Sequence, residues 1–383
     1  MRVTDEDGAS LRRALGGWYA RHRRDLPWRR TRDPYAIWVS ETMLQQTRVQ
    51  AVVEPYARFL ERFPDVRALA AAGEDEVLAV WSGLGYYRRA RALRRAAAVV
   101  VERFGGRFPD SREVLLELPG VGPYTAGAVA SIAFDEPAPI VDGNVARVFA
   151  RLFAIEEPVD LPATRRLLWS LAESLLPPRP VAAGEPRPGE WTQALMELGA
   201  LVCTPRTPDC PACPVADACR SRATGKPDRL PRRTAKRATL AVALEALLIE
   251  EGGRVLLVRR PPTGRMAGMW ELPTRERSAV APPVLWPGSF PAPAGARLGA
   301  VGAPLLEIPH AITHHRIDLS LRRGRVRPAR ALLRTDAPSD LDDPWCFADP
   351  LASDLALTGM TRKVLSRLSS RAPGEPGESE PGR

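Results

Sequence analysis

Four cysteines fall within residues 203–219 in the pattern Cys203-x6-Cys210-x2-Cys213-x5-Cys219. Four thiolates on one short loop can wrap a single metal centre, because closing such short loops costs little entropy and no His or carboxylate ligand is needed. The spacing admits zinc or an iron–sulfur centre. Two separated carboxylates offer a second chemistry: Glu41, in Trp38-Val39-Ser40-Glu41-Thr42-Met43, and Asp142, in Ile140-Val141-Asp142-Gly143-Asn144. Two carboxyls can divide general acid–base work between them. Singly, each has an ordinary structural use. An acid in a first helical turn complements the helix dipole, and Asp-Gly makes a turn or N-cap. A third pattern, Leu118-Pro119-Gly120-Val121-Gly122-Pro123-Tyr124, puts glycines at alternate positions between helical stretches. Bare amides there, with the following helix N-terminus, can hold a phosphate, or the turn can be a plain helix connector.

These groups need elements to hold them. Residues 10 to about 222 read as helical, with buried faces through Val49, Val52, Val53, Tyr56, Phe59 and Leu60, and through Val145, Val148, Phe149, Leu152 and Phe153. Glu41 is expected near the start of the first long helix. Asp142 is expected just before another. Residues 223–238 are polar, basic and Pro-bearing, the composition of a linker. The texture then changes to strand, Gly-containing turn and strand over 240–259, a Pro-rich interval at 281–295, strand-like runs near 305–321 and a terminal helix within 351–368. The expected division is a helical domain over 1–222 that includes the cysteine loop at 203–219, a linker over 223–238, a second domain over 239–370 and a disordered tail over 371–383.

The formal net charge of +10 points to a polyanionic partner. All but three of the 55 basic residues are arginines, the exceptions being Lys226, Lys236 and Lys363, so arginine abundance partly reflects coding bias. No apolar run is long enough to span a bilayer and none follows the early charges as a signal peptide would. A soluble intracellular protein is expected, and clustered cysteines in a reducing compartment favour metal ligation over disulfides. Cys346 stands apart and reads as a small buried apolar residue.

In order along the chain occur Leu26-Pro27-Trp28-Arg29, Met43-Leu44-Gln45-Gln46-Thr47, Trp81-Ser82-Gly83-Leu84-Gly85-Tyr86-Tyr87, the Gly120-Val121-Gly122 turn, Val141-Asp142-Gly143-Asn144 and the cysteine loop. Over residues 15–222 this series resembles the helix–hairpin–helix glycosylases, specifically the MutY-type adenine DNA glycosylases. The resemblance implies an all-α glycosylase domain whose Cys203, Cys210, Cys213 and Cys219 hold one 4Fe–4S cluster. It implies a partner, double-stranded DNA with adenine mispaired with 8-oxoguanine or guanine, and a flipped target base. It assigns Glu41, Asp142, Tyr124 and Asn144 to catalysis and Trp28, Arg29 and Glu197 to the adenine pocket. Gln45, Gln46, Leu84, Tyr86, Gly120, Val121 and Gly122 would meet DNA. A monomeric enzyme of the bacterial cytoplasm, associated with the nucleoid, is the expected form.

The bifunctional branch of that superfamily carries a lysine where this chain has Tyr124. No lysine occurs in residues 1–225, so the helical domain has no ε-amine for a Schiff base with the sugar. The segment after the linker, through Arg254-Val255-Leu256-Leu257-Val258-Arg259-Arg260-Pro261 and Gly268-Met269-Trp270-Glu271-Leu272-Pro273, resembles the α+β MutT-like (Nudix-fold) domain of the family. A hydrolase of that fold needs several Glu on one helix for Mg²⁺, yet residues 275–300 hold one acid, Glu276. The implied task is reading 8-oxoguanine through Ile312, Thr313 and His314, where Ile312 lacks the ring the family places there. Two other readings compete: a mismatch thymine glycosylase of the same superfamily, and a cluster-bearing DNA-binding protein without chemistry. The second domain and the Trp28-Arg29 and Glu41 set argue against the first, and retention of both acids against the second.

Overall fold

Two helices of the chain are apolar on nearly every face, and such helices are stable only when surrounded. In the computed structural model, which describes residues 4–235, 239–277, 286–292, 296–312, 315–327, 344–349 and 355–370, both lie at the middle of the helical part. Pro34–Leu44 starts where Asp33 caps Tyr35 N and proline fills the first position, and it is buried continuously from Tyr35 to Met43. Pro123–Phe134 follows the glycine turn, again with proline at its start, and is buried continuously from Thr125 to Ile132. These two pack together, and Pro188–Leu201 packs on the second of them and on Gly143–Leu152. The N-terminal helix Asp5–His22, with Thr4 accepting from Asp7 N and acids in its first turn, packs on Pro188–Leu201.

The chain divides into two compact units, Met1–Lys236 and Arg237–Arg383. In the first, the short helix Arg112–Leu115, the turn carrying Gly120 and the helix Pro123–Phe134 form a helix–hairpin–helix. Gly120 has φ +76°, a conformation that disfavours a side chain, and a Cβ there would lie 2.4 Å from Ala92 Cβ. The face expected from Val49 to Leu60 is buried through Val52, Tyr56 and Phe59 of Val49–Arg62, but Val53 is 37% exposed. Val53 lies one residue past Val52, a step of 100° round the helix, and falls outside the buried stripe. The second expected face, from Val145 to Phe153, is buried throughout.

Residues 223–235, expected to begin a linker, belong to the first unit. Leu230 is buried and its carbonyl accepts from Arg151 Nε at 2.9 Å. Val159 N donates to Arg232 O, and Thr234 N donates to Asp160 Oδ1 at 3.0 Å. Polar composition mimics a linker, but here the backbone of the segment satisfies a buried guanidinium. Residues 236–238 and the tail at 371–383 lie outside the described residues.

The second unit has two sheets. The first is ordered β5-β1-β7-β6, from β1 (Leu240–Leu248), β5 (Thr274–Glu276), β6 (Arg297–Ile312) and β7 (His315–Arg327). In it β1 and β7 run parallel, and the other pairs are antiparallel. The second joins β2 (Glu250–Glu251), β3 (Arg254–Arg259), β4 (Trp270–Glu271) and β8 (Trp345–Ala348). The strands on either side of the glycine turn thus enter different sheets, and only the short β2 pairs back on β3. Leu244, Leu257, Leu319 and Trp270 share a core with Val364 of the terminal helix, and Cys346 is buried in it as expected. That helix spans Gly359–Ser369, and Thr358 caps it, accepting from Thr361 N. Among the described residues no helix is long and apolar enough to cross a membrane.

The helix crossings in the first unit depend on missing side chains. A Cβ on Gly127 would stand 2.2 Å from Pro139 O, a backbone atom with no freedom to yield. Gly127→Ala is expected to cost about 1–3 kcal/mol, read as a melting midpoint roughly 5 °C lower. An unchanged midpoint contradicts this close approach.

Candidate active site

The carboxyl of Glu41 is buried at the wall of a cleft in the helical unit. Its helix begins at Pro34, so Glu41 occupies the last turn of Pro34–Leu44 and not the start that the sequence suggested. The correction reverses the dipole argument, since the C-terminal end of a helix is its negative end and disfavours an ionised carboxyl. Glu41 is 4% exposed. Burial lifts it, the Tyr124 hydroxyl pulls it down, Asp142 in the same cleft lifts it again, and the carboxyl ends at about 7. Tyr124, at the start of Pro123–Phe134, donates its hydroxyl proton to Glu41 Oε2 at 2.6 Å, with Met196 Sδ 3.1 Å away. Burial and then Glu41 push the phenol well above its ordinary value, so it remains a donor.

Asp142 lines the same cleft as the N-cap of Gly143–Leu152. Its Oδ1 accepts from Asn144 N at 2.9 Å and Val145 N at 2.7 Å, and its Oδ2 accepts from Asn144 Nδ2 at 2.9 Å. Burial raises its carboxyl and these bonds pull it back, leaving it above the usual range. Asn144 is oriented in turn. Arg147 Nη2 donates to Asn144 Oδ1 at 2.8 Å and to Gly199 O at 2.7 Å, while Arg147 Nε donates to Cys203 O at 2.7 Å. Gly199 permits this because a Cβ there would lie 2.6 Å from Asn144 Cβ.

Glu41, Asp142, Tyr124 and Asn144 line one cleft of about 1030 Å³, together with Trp28, Arg29, Glu197, Gln45, Gln46, Gly120 and Gly122. Trp28 is buried at the cleft wall with its ring edge-on to Tyr56. Glu197 is fully buried and its oxygens are occupied. Arg29 binds it twice at 2.7 Å, and Arg24 donates its backbone N–H, Nε and Nη2 at 2.9, 3.0 and 2.6 Å. Burial pushes this carboxyl up, but the bonds from Arg29 and Arg24 outweigh it and hold it at about 2. Glu197 is thus saturated as an acceptor and serves to fix Arg29.

The sites expected to meet DNA are not alike. Leu84 and Val121 are buried, Tyr86 is 42% exposed, and both Gln46 and Tyr86 have positive φ, 59° and 49°. Gln45 lies at the cleft with its Nε2 donating to Thr125 Oγ1 at 3.0 Å. Thr313 and His314 lie outside the described residues. Ile312 ends β6 half-buried against the core of its own unit, and its carbonyl is 3.3 Å from the buried His315 Nδ1. In the same unit Glu276 accepts from Trp286 N, and residues 274–276 form a strand.

Cys203, Cys210, Cys213 and Cys219 line one small cavity with Arg151. Arg151 is 1% exposed and donates to Cys203 Sγ at 3.3 Å. Among the described residues no three His, Cys, Asp or Glu side chains close around a single ion. Four sulfurs round a shared space are the donor set a thiolate-bound metal centre needs. Sequence reasoning missed Arg24, Thr125, Arg147 and Arg151. The sequence carried no signal for the arginines, which are lost among dozens of exposed ones.

Residues 39–174 match the HhH-GPD superfamily base excision DNA repair proteins, and residues 245–367 match the NUDIX domain. The adenine DNA glycosylase of Mycolicibacterium smegmatis is 45% identical over 214 residues, covering 56% of this chain and 70% of that protein. The mouse adenine DNA glycosylase is 39% identical over 320 residues, and the chain spans 61% of its length. A solved structure of a thermostable thymine-DNA glycosylase aligns with TM-score 0.51 and 31% identity, over 58% of this chain and all of that one. With the helix–hairpin–helix unit, the Nudix-like unit and a relative of this identity covered over 70% of its length, the chain belongs to the MutY-type adenine DNA glycosylases.

Proposed function

We propose that the chain hydrolyses the N-glycosidic bond of adenine mispaired with 8-oxoguanine or guanine in duplex DNA, after flipping the nucleotide into the cleft. The observation that carries this reading is Glu41, a buried carboxyl at about 7 beside the Tyr124 hydroxyl, lining one cleft with Asp142. A stacked base hides its glycosidic bond, so the nucleotide must leave the helix first. Adenine leaves poorly as an anion. Protonated Glu41 gives its proton to N7 as the C1′–N9 bond breaks and the bonding pair stays on the base. The cation left at C1′ faces the Asp142 carboxylate, which Asn144 and two backbone amides hold in place. Water then adds to C1′ and its proton returns to Glu41.

Trp28 and Arg29 would form the base pocket, with Glu197 holding Arg29. Gln45, Gln46 and Tyr86 would press into the space the base vacates, and the backbone at Gly120 and Gly122 would hold a phosphate. Without lysine in residues 1–225 the product is an abasic site and not a broken strand. The four cysteines would hold a 4Fe–4S cluster, which supplies a fixed, charged core for the loop at 203–219. The second unit would read 8-oxoguanine through Ile312, Thr313 and His314.

The likeness to a thymine-DNA glycosylase keeps thymine mispaired with guanine as a second reading. One assay separates them: duplexes with adenine opposite 8-oxoguanine, adenine opposite guanine and thymine opposite guanine, with products resolved before and after alkali. Adenine release from the first two, with strand breaks only after alkali, is expected. Glu41→Gln and Asp142→Asn should each slow single-turnover release by about 10²–10⁴-fold while DNA affinity changes little. Thymine release, or parent-rate excision by either variant, overturns the assignment.

The pH profile follows from the same carboxyls. Glu41 must be protonated, so the rate should fall as pH rises through about 7. Asp142 must be ionised, so the rate should fall in acid, and a basic limb absent from the profile removes Glu41 as the acid. Stability carries the complementary sign. Glu41 is raised from 4.5 to about 7, so its protonated form contributes stability that is lost as pH rises across that window. The melting midpoint of Glu41→Gln relative to the parent should therefore increase from pH 5 to pH 8. A constant difference shows that Glu41 does not titrate there.

A further inference from the structure

Arg89 is 7% exposed and lies in the first turn of Arg88–Phe104, the positive end of that helix. No carboxylate is among its hydrogen-bond partners. Its Nη1 donates to Thr42 O, Met43 O and Gln45 O at 2.8, 2.9 and 2.6 Å. Its Nη2 donates to Thr47 Oγ1, Leu84 O and Gly85 O at 3.2, 3.1 and 3.1 Å. The guanidinium also lies 5.4 Å from the centroids of both the Trp81 and Tyr86 rings. Burial draws its pKa down to about 10.

These partners fall into two groups. Thr42 and Met43 end the helix that carries Glu41, and Gln45 and Thr47 form the turn that follows it. Leu84, Gly85 and Tyr86 form a second turn, remote in sequence, whose exposed aromatic ring rests on the guanidinium. Gln46 and Tyr86 both hold left-handed backbone that side chains rarely adopt, so each turn needs outside bonds to keep its shape. One side chain supplies bonds to both. A planar five-donor fork can serve acceptors on two elements, which an ammonium on a flexible stem does poorly.

We infer that Arg89 is a positioning residue that locks the turns at 45–47 and 83–86 to the end of the Glu41 helix, so that they press into DNA as one rigid wedge. This rests on the base-flipping reading of the cleft. The role is mechanical. Arg89 touches neither the base nor the sugar, and its loss is felt in extrusion of the nucleotide, before proton transfer.

Two measurements on the full chain test it. Hydrogen exchange over peptides spanning 42–47 and 83–87 should quicken in both turns together in Arg89→Lys, and in the same direction but less in Thr47→Val. With 2-aminopurine at the adenine position, the fluorescence rise on binding should slow by about tenfold or more in Arg89→Lys, with duplex affinity nearly unchanged. Exchange that quickens in one turn alone, or a fluorescence rise at the parent rate, overturns the coupling. A parent protein that binds without any fluorescence rise overturns the base-flipping reading itself. In that case the exchange result still decides whether Arg89 joins the two turns.

Discussion

A carboxyl taken out of water loses more hydration ionised than protonated, and Glu41 sits where little offsets that loss. Its helix is apolar on every side, it stands at the negative end of that helix, and its one close partner is a neutral phenol. Glu197 lines the same cleft and is more deeply buried, yet it is held at about 2 because two arginines donate five hydrogen bonds to it. The same side chain thus takes two protonation states in one cavity. The difference lies in which donors the folded chain brings up: one hydroxyl that keeps its proton, or two guanidinium groups that never lose theirs. The rest of the helical unit is arranged to keep this contrast, with Arg29 bound to Glu197 and so kept from pairing with Glu41.

The second acid is governed by backbone. Asp142 caps a helix, which fixes its oxygens more rigidly than any single side-chain contact could, since both amides belong to the helix it starts. Asn144, Arg147 and Cys203 extend that fixation. Arg147 bonds Asn144, Gly199 and the carbonyl of Cys203, so the cysteine loop and the Asp142 cap share one guanidinium. A shift of the loop therefore reaches Asp142 through two hydrogen-bonded side chains. Arg151 donates to the carbonyls of Thr204 and Pro205 in the same loop, so two buried guanidinium groups hold its start.

What the sequence made legible was whatever is local. The cysteine spacing, the glycine turn with its proline start, the Asp-Gly cap and the absence of lysine in the first 225 residues need no knowledge of packing. The helical register near Glu41 was less readable, because the apolar residues before it could as well precede a helix as fill one. Asp33-Pro34 was the available start signal, and it places Glu41 at the far end. Residues 223–235 read as linker because polarity and proline are compositional, whereas the carbonyl that Leu230 lends to Arg151 is a tertiary fact. Arg24, Arg89, Arg147 and Arg151 were invisible for the same reason: burial distinguishes them, and nothing in their neighbours announces it.

Those arginines also change what the composition means. The net charge of +10 describes a surface suited to phosphate, but the buried fraction works as cross-links. Arg89 joins a helix end to a remote turn, Arg147 joins three segments, Arg151 joins the cysteine loop to Leu230, and Arg29 joins Glu197 to the carbonyl of Arg24. Each satisfies carbonyls that helix ends and turns leave open. A lysine at any of these places presents three donors from one point and loses more solvation on burial. The bias toward arginine that dulls the sequence as a guide to DNA binding thus also supplies the buried cross-links between segments remote in sequence.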